Sequence, residues 1–140
     1  MKRIVLDTNV FIAALKSQYG ASHRLLMLTG LGRFTMVLSV PLVLEYEAVA
    51  SRMLETFSMG EDGMKETIGY LCGVAEPVEI HFLWRPLLGD PKDDMVLELA
   101  VAGRCDCIVT HNIRDFGGAS QFGVDVMTPR DFLRDLGELK

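Results

Sequence analysis

Three short apolar runs, Arg3–Leu6, Thr35–Leu38 and Cys107–Val109, lack polar alternation and stop at turn or capping residues, the pattern of strands buried on both faces. A weaker strand is predicted over 124–127 and a short edge strand over 78–82. The stretches between them have helical spacing, and helices are predicted over 10–15, 22–29, 41–52, 64–74 and 92–102. Met64, Ile68, Leu71 and Cys72 line one face of the fourth, as Val96, Leu97, Leu99 and Ala100 line one face of the fifth. Pro41 stands near the start of the third, where its missing N–H costs nothing. A last helix opens at Thr128-Pro129-Arg130-Asp131, with Thr as cap, Pro first and an acid in the first turn. Buried strands alternating with helices predict an α/β fold, with a central parallel sheet of four or five strands and helices on both faces. The glycines mostly punctuate these elements, and Ser58, Gly60, Glu61, Asp62 and Gly63 read as a polar loop. No repeat or linker divides the chain, so residues 1–140 are expected to form a single domain.

Composition narrows the class. At 140 residues and 49% hydrophobic, the chain can bury a real core and is not expected to be disordered. No apolar run approaches the roughly 20 residues of a membrane span. Residues 1–7 reach an acid after three apolar positions, unlike a secretory signal. Cys72, Cys105 and Cys107 are odd in number and unpaired in spacing, which fits a reducing compartment, and a cytoplasmic location is expected. Fourteen Lys and Arg against nineteen Asp and Glu give a net charge of −5, unlike domains that hold nucleic acid by bulk charge. That balance does not exclude an enzyme whose acids hold a cation, since the cation inverts the local sign.

Ligands of open parallel sheets bind outside the carboxyl ends of the strands. Asp7, Thr8 and Asn9 follow the first strand there; Ser39 follows the second, with Glu45 on the next helix. Thr110, His111, Asn112 and Asp115 follow the strand at 107–109, and Asp90, Asp93 and Asp94 open the helix leading into it. Each acid alone has a structural explanation. Asp7 reads equally well as a helix cap. Asp93 and Asp94 suit a helix N-terminus, and Asp115 suits a turn. Glu45 is harder to explain, because it falls on an otherwise apolar face with Leu42, Val43, Tyr46 and Val49. Taken together, carboxylates meeting on one rim repel unless a cation holds them ionised. All-oxygen ligation selects Mg²⁺ or Mn²⁺, and such a site suits phosphodiester hydrolysis.

Other chemistries fit less well. The three histidines are far apart and Cys105-x-Cys107 is not a zinc knuckle, so these two cysteines read as core thiols and His111 as an exposed loop group. No glycine-rich phosphate loop follows the first strand, and Ser39 lacks the glycines of a nucleophile elbow. Basic residues are scattered, with Lys92 and Arg114 beside rim acids and able to meet a phosphate backbone. Phosphotransfer through Asp7 is a third reading, weakened by Asn9 where a second Asp would stand.

Four blocks carry a resemblance. Ile4-Val5-Leu6-Asp7-Thr8-Asn9-Val10, Ser39-x5-Glu45-Tyr46, Asp90-Pro91-Lys92-Asp93-Asp94-x2-Leu97-Glu98-Leu99-Ala100 and Ile108-Val109-Thr110-x-Asn112-x2-Asp115-Phe116 together resemble the PIN-domain family. In particular they resemble its stand-alone VapC-like members, the toxin components of toxin–antitoxin pairs. The resemblance implies a three-layer α/β/α sandwich and a Mg²⁺- or Mn²⁺-dependent endoribonuclease. Asp7, Glu45 and Asp93 would form its acidic centre, with Asn112 and Asp115 completing the metal shell and Asp115 joining the catalytic acids. Asn112 stands where these proteins commonly carry a fourth Asp. Thr8, Asn9, Ser39 and Thr110 would position ligands, water or phosphate. The expected partners are single-stranded RNA as substrate, a small antitoxin, and a second copy in a homodimer, with no membrane. The alternative is a catalytically weakened PIN-like module acting through protein or RNA contacts.

Overall fold

The side chains of Ile4, Val5, Leu6, Ile108 and Val109 have no solvent exposure, because β1 (Arg3–Leu6) and β4 (Cys107–Val109) are paired at the centre of the sheet. The structure, a computed structural model, describes residues 1–80 and 88–139. After β1 come α1 (Thr8–Lys16), α2 (Ala21–Leu28), β2 (Thr35–Leu38), α3 (Val40–Ser51), α4 (Gly60–Val74) and β3 (Glu76–Pro77). Then follow α5 (Pro91–Ala102), β4, β5 (Asp125–Met127) and α6 (Pro129–Asp135), with 3-10 turns at Leu54–Thr56, Ile113–Phe116 and Ala119–Phe122. All strands are parallel, in the order β3-β2-β1-β4-β5. Starting from β1, the chain builds outward through β2 to β3 and then returns to β4 and β5 on the other side. Parallel crossovers are right-handed, so this reversal puts helices on both faces and gives the three-layer sandwich. It also opens a crevice between the ends of β1 and β4, the topological switch point.

The strands β1, β2 and β4 match their sequence expectation, and most other elements fall within one or two residues of theirs. Two differ more. The edge strand expected over 78–82 is instead Glu76–Pro77, and the pairing ends as the Val78 amide donates to the Leu38 carbonyl at 2.8 Å. Residues 81 and 82 of that expectation lie outside the described residues. Both β3 residues are exposed, so no apolar run marks them, and Pro77, lacking an N–H, suits an outermost strand. The second difference is α4, which starts at Gly60 rather than at 64. Glu61 and Asp62, read as loop, occupy its first turn, where the helix dipole favours negative charge.

Packing explains what the helices do. Phe11 on α1 stacks on Tyr46 of α3 at 4.6 Å between ring centres, and Phe34 meets Phe132 of α6 edge-on at 5.5 Å. From Asp94 to Ala100 every residue of α5 is buried, so this helix has no solvent face in that stretch. Cys105 and Cys107 are buried free thiols, and burial pushes both up to about 12, so they stay protonated core groups. Among the described residues no helix is long and apolar enough to cross a membrane.

Candidate active site

Register builds the site. Leu6 pairs with Val109, so the next residues, Asp7 and Thr110, leave the sheet side by side, and the Asp7 amide donates to the Val109 carbonyl at 2.9 Å. The buried Thr110 hydroxyl donates to Asp7 Oδ2 at 2.7 Å, while the Thr8 amide donates to Oδ1 at 2.8 Å. Thr110 Oγ1 in turn accepts from Asn9 Nδ2 at 3.3 Å and from the Asn112 amide at 3.0 Å. Asn9 Oδ1 accepts from the His111 amide at 3.2 Å, which ties the start of α1 to the loop after β4. Asp7 is therefore the N-cap of α1 and also the acid at the switch point, so its structural and chemical readings coexist. The backbone beneath is anchored as well, because the buried Tyr46 hydroxyl donates to the Leu6 carbonyl at 2.5 Å.

The acids act on one another. Burial, then the charges of Asp90, Asp115, Asp7 and Asp94, push the Asp93 carboxyl up to about 6. Asp7 is also raised, chiefly by burial and further by Asp115, against the opposing hydrogen bonds of Thr110 and Thr8 and the charge of His111. Asp7, Asp93 and Asp115 thus share one negative patch, with Asp115 exposed on the 3-10 turn after β4. Neighbouring acids have other work. Asp94 is buried and accepts from the Leu88 amide at 2.7 Å, and Asp90 caps α5 through the Lys92 amide at 2.9 Å. Glu45 is not among the charges felt by Asp93; its Oε1 lies 3.4 Å from Lys92 Nζ. Ser39 caps α3, its buried hydroxyl accepting from the Leu42 amide at 3.2 Å. Asn112 is exposed at the rim.

Among the described residues no three acidic, histidine or cysteine side chains stand close enough to surround an ion by themselves. The donor set nonetheless fits a hard divalent cation. Mg²⁺ keeps several waters, so few carboxylates need touch it directly, and the burial and neighbouring charges that lift Asp93 penalise a negative charge that such an ion would offset. Sequence reasoning missed three contacts made by residues distant in the chain: Lys92 on Glu45, Tyr46 on Leu6, and Ser22 Oγ, which lies 2.9 Å from His111 Nε2. None has a local spacing that would mark it.

Known proteins now bear on this arrangement. The chain is similar in fold to a chain in the crystal structure of VapBC2 from Rickettsia felis bound to a DNA fragment from their promoter. The TM-score is 0.62 at 15% identity, over 89% of this chain and 98% of that one, a likeness that speaks for the fold alone. No curated protein matches the chain in sequence. The family model described as PIN domain matches residues 3–114, a span holding β1 to β4 together with Asp7, Glu45, Asp93 and Asn112, with Asp115 one residue beyond it. With four fifths of its length matched to that model, and the fold in agreement, this chain belongs to the PIN-domain family.

Proposed function

We propose that this chain is a Mg²⁺- or Mn²⁺-dependent endoribonuclease that hydrolyses single-stranded RNA, acting in the cytoplasm as the toxin of a toxin–antitoxin pair. The observation that carries this reading is the negative patch of Asp7, Asp93 and Asp115 at the switch point, with Asp93 raised to about 6. Such a patch is unfavourable alone and becomes favourable around a divalent ion with a phosphate beside it. Asp7, Glu45 and Asp93 would hold the ion, with Asn112 and Asp115 completing its surroundings. When bound, the ion would ease ionisation of the attacking water and neutralise charge on the departing oxygen.

The chain's own groups supply the order. Thr110 and the Thr8 amide each hold one oxygen of Asp7, so that carboxylate keeps a fixed orientation with lone pairs left over. Asn9 bridges Thr110 and the His111 backbone and keeps both strand ends in step. Lys92 balances the charge of Glu45 until substrate and ion arrive. Ser39 fixes the start of the helix that carries Glu45. Water adds to phosphorus and the strand parts into a phosphate end and a hydroxyl end.

The likeness in fold to a chain of the VapBC2 structure bound to promoter DNA supports a small antitoxin as partner. Its tail would cover the acids, with arginine meeting them bidentately. A homodimer is proposed on the family resemblance. Asn112 favours a second reading, a weakened module that binds without cutting, because an amide there leaves the rim one charge short. Asp7→Asn decides between them. It is expected to abolish Mg²⁺-dependent cleavage of single-stranded RNA while the circular dichroism stays native. Undiminished cleavage by that variant overturns the nuclease reading, and a wild type that cuts no RNA supports the second.

A further inference from the structure

Beside the acidic patch lies a second feature that its chemistry leaves unused. A cleft of about 750 Å³ opens between the α1–α2 turn, the outer face of α2 and α6. Its described lining includes Tyr19, His23, Arg24, Met27, Arg130 and Leu133, and contains no carboxylate, although the chain carries a net charge of −5. Tyr19 is 91% exposed, an unusual state for a large aromatic ring in a folded domain. Arg130 makes no ion pair among the described residues, and its neighbour Asp131 is engaged with Arg134 at 3.3 Å. Arg24 shares the single carboxylate of Glu138 with Arg33, which leaves positive charge in excess there.

The cleft adjoins the acids. Ser22, one residue after the lining Ala21, lies 2.9 Å from the His111 ring, and His111 directly follows the Thr110 that holds Asp7. Arg130 sits three residues past the end of β5, so both walls rise from the sheet edge that bears the acids. Cations along a groove with an exposed aromatic ring are what a single nucleic-acid strand requires: phosphates pair with the cations and a base stacks on the ring.

We infer that this cleft is a subsite for single-stranded RNA leaving the acidic patch, with Tyr19 stacking a base and Arg24 and Arg130 meeting phosphates. The inference rests on the ribonuclease reading above. It is tested by kcat/KM for cleavage of unstructured RNA of three and of ten nucleotides, with Tyr19→Ala, Tyr19→Phe and Arg130→Gln beside the wild type. Light scattering monitors the folded state and self-association. Tyr19→Ala is expected to lower kcat/KM roughly 5- to 100-fold on the longer RNA alone, and Tyr19→Phe to restore it. Arg130→Gln is expected to flatten the logarithmic salt dependence of binding by about 0.7, measured in the Asp7→Asn background. Unchanged cleavage and salt slope in both variants, from a wild type that cleaves, overturn the subsite and leave the nuclease reading intact. Unchanged cleavage with altered self-association overturns it too, and assigns the cleft to protein contact. A wild type that neither cleaves nor binds RNA removes the parent reading, and the subsite with it.

Discussion

Asp93→Asn should stabilise the metal-free protein. The folded carboxyl titrates at about 6 against an ordinary 3.8, so the folded chain binds that proton more tightly than the unfolded chain does. Stability from this group is therefore gained as pH falls through 6 towards 4, and its ionised form costs stability at neutral pH. A rise of about two pH units is worth ~3 kcal/mol if fully felt. Asp93 is partly exposed, and solvent screening reduces this to about 1–2 kcal/mol. The amide also gives up the attraction of a negative charge to the first turn of α5, about 0.3–1 kcal/mol. Repulsion wins. The net gain of about 1 kcal/mol raises Tm by roughly 3–5 °C for a domain of this size. Scanning calorimetry in EDTA should find the variant more stable at pH 7.5 and the gap narrowing from pH 6 to close below about pH 4, while added Mg²⁺ stabilises the wild type alone. A variant no more stable at pH 7.5, or one that Mg²⁺ stabilises as much as the wild type, refutes this electrostatic account.

Three further outcomes follow from the same geometry. Thr110→Val removes the hydroxyl that binds Asp7 and accepts from Asn9, and cleavage should fall about 10–100-fold with a folded spectrum. Tyr46→Phe keeps the stack on Phe11 but deletes the bond to the Leu6 carbonyl; denaturant titration should find a loss of about 1–2 kcal/mol. Asn112→Asp restores a carboxylate at the rim and should lower the Mg²⁺ concentration for half-maximal cleavage several-fold, read from initial rates.

Much of the fold was legible because the strands are short, apolar and buried on both faces, so β1, β2 and β4 stand out as runs. What escaped was marked by exposure rather than burial. The β3 residues Glu76 and Pro77 have no apolar signature, and the acids of the first turn of α4 mimic a loop. The candidate site was legible as a set of acids at strand ends, since a parallel sheet sends the residue after each strand to one edge. Its internal division of labour was not. Asp93 and Asp94 are adjacent and alike in sequence; only packing turns Asp94 inward to the Leu88 amide and leaves Asp93 in the field of Asp7 and Asp115. Likewise Glu45 looks like an unpaid buried charge until the fold brings Lys92, 47 positions later, within 3.4 Å.

The central claim is that carboxylates from β1, α5 and the β4 loop bind one kind of divalent ion together. Electron paramagnetic resonance of Mn²⁺ titrated into the wild type, Asp7→Asn and Asp93→Asn reads this directly. Loss of free-ion signal with the wild type, and its return in both variants, is the expected result; equal Mn²⁺ uptake by all three contradicts the claim.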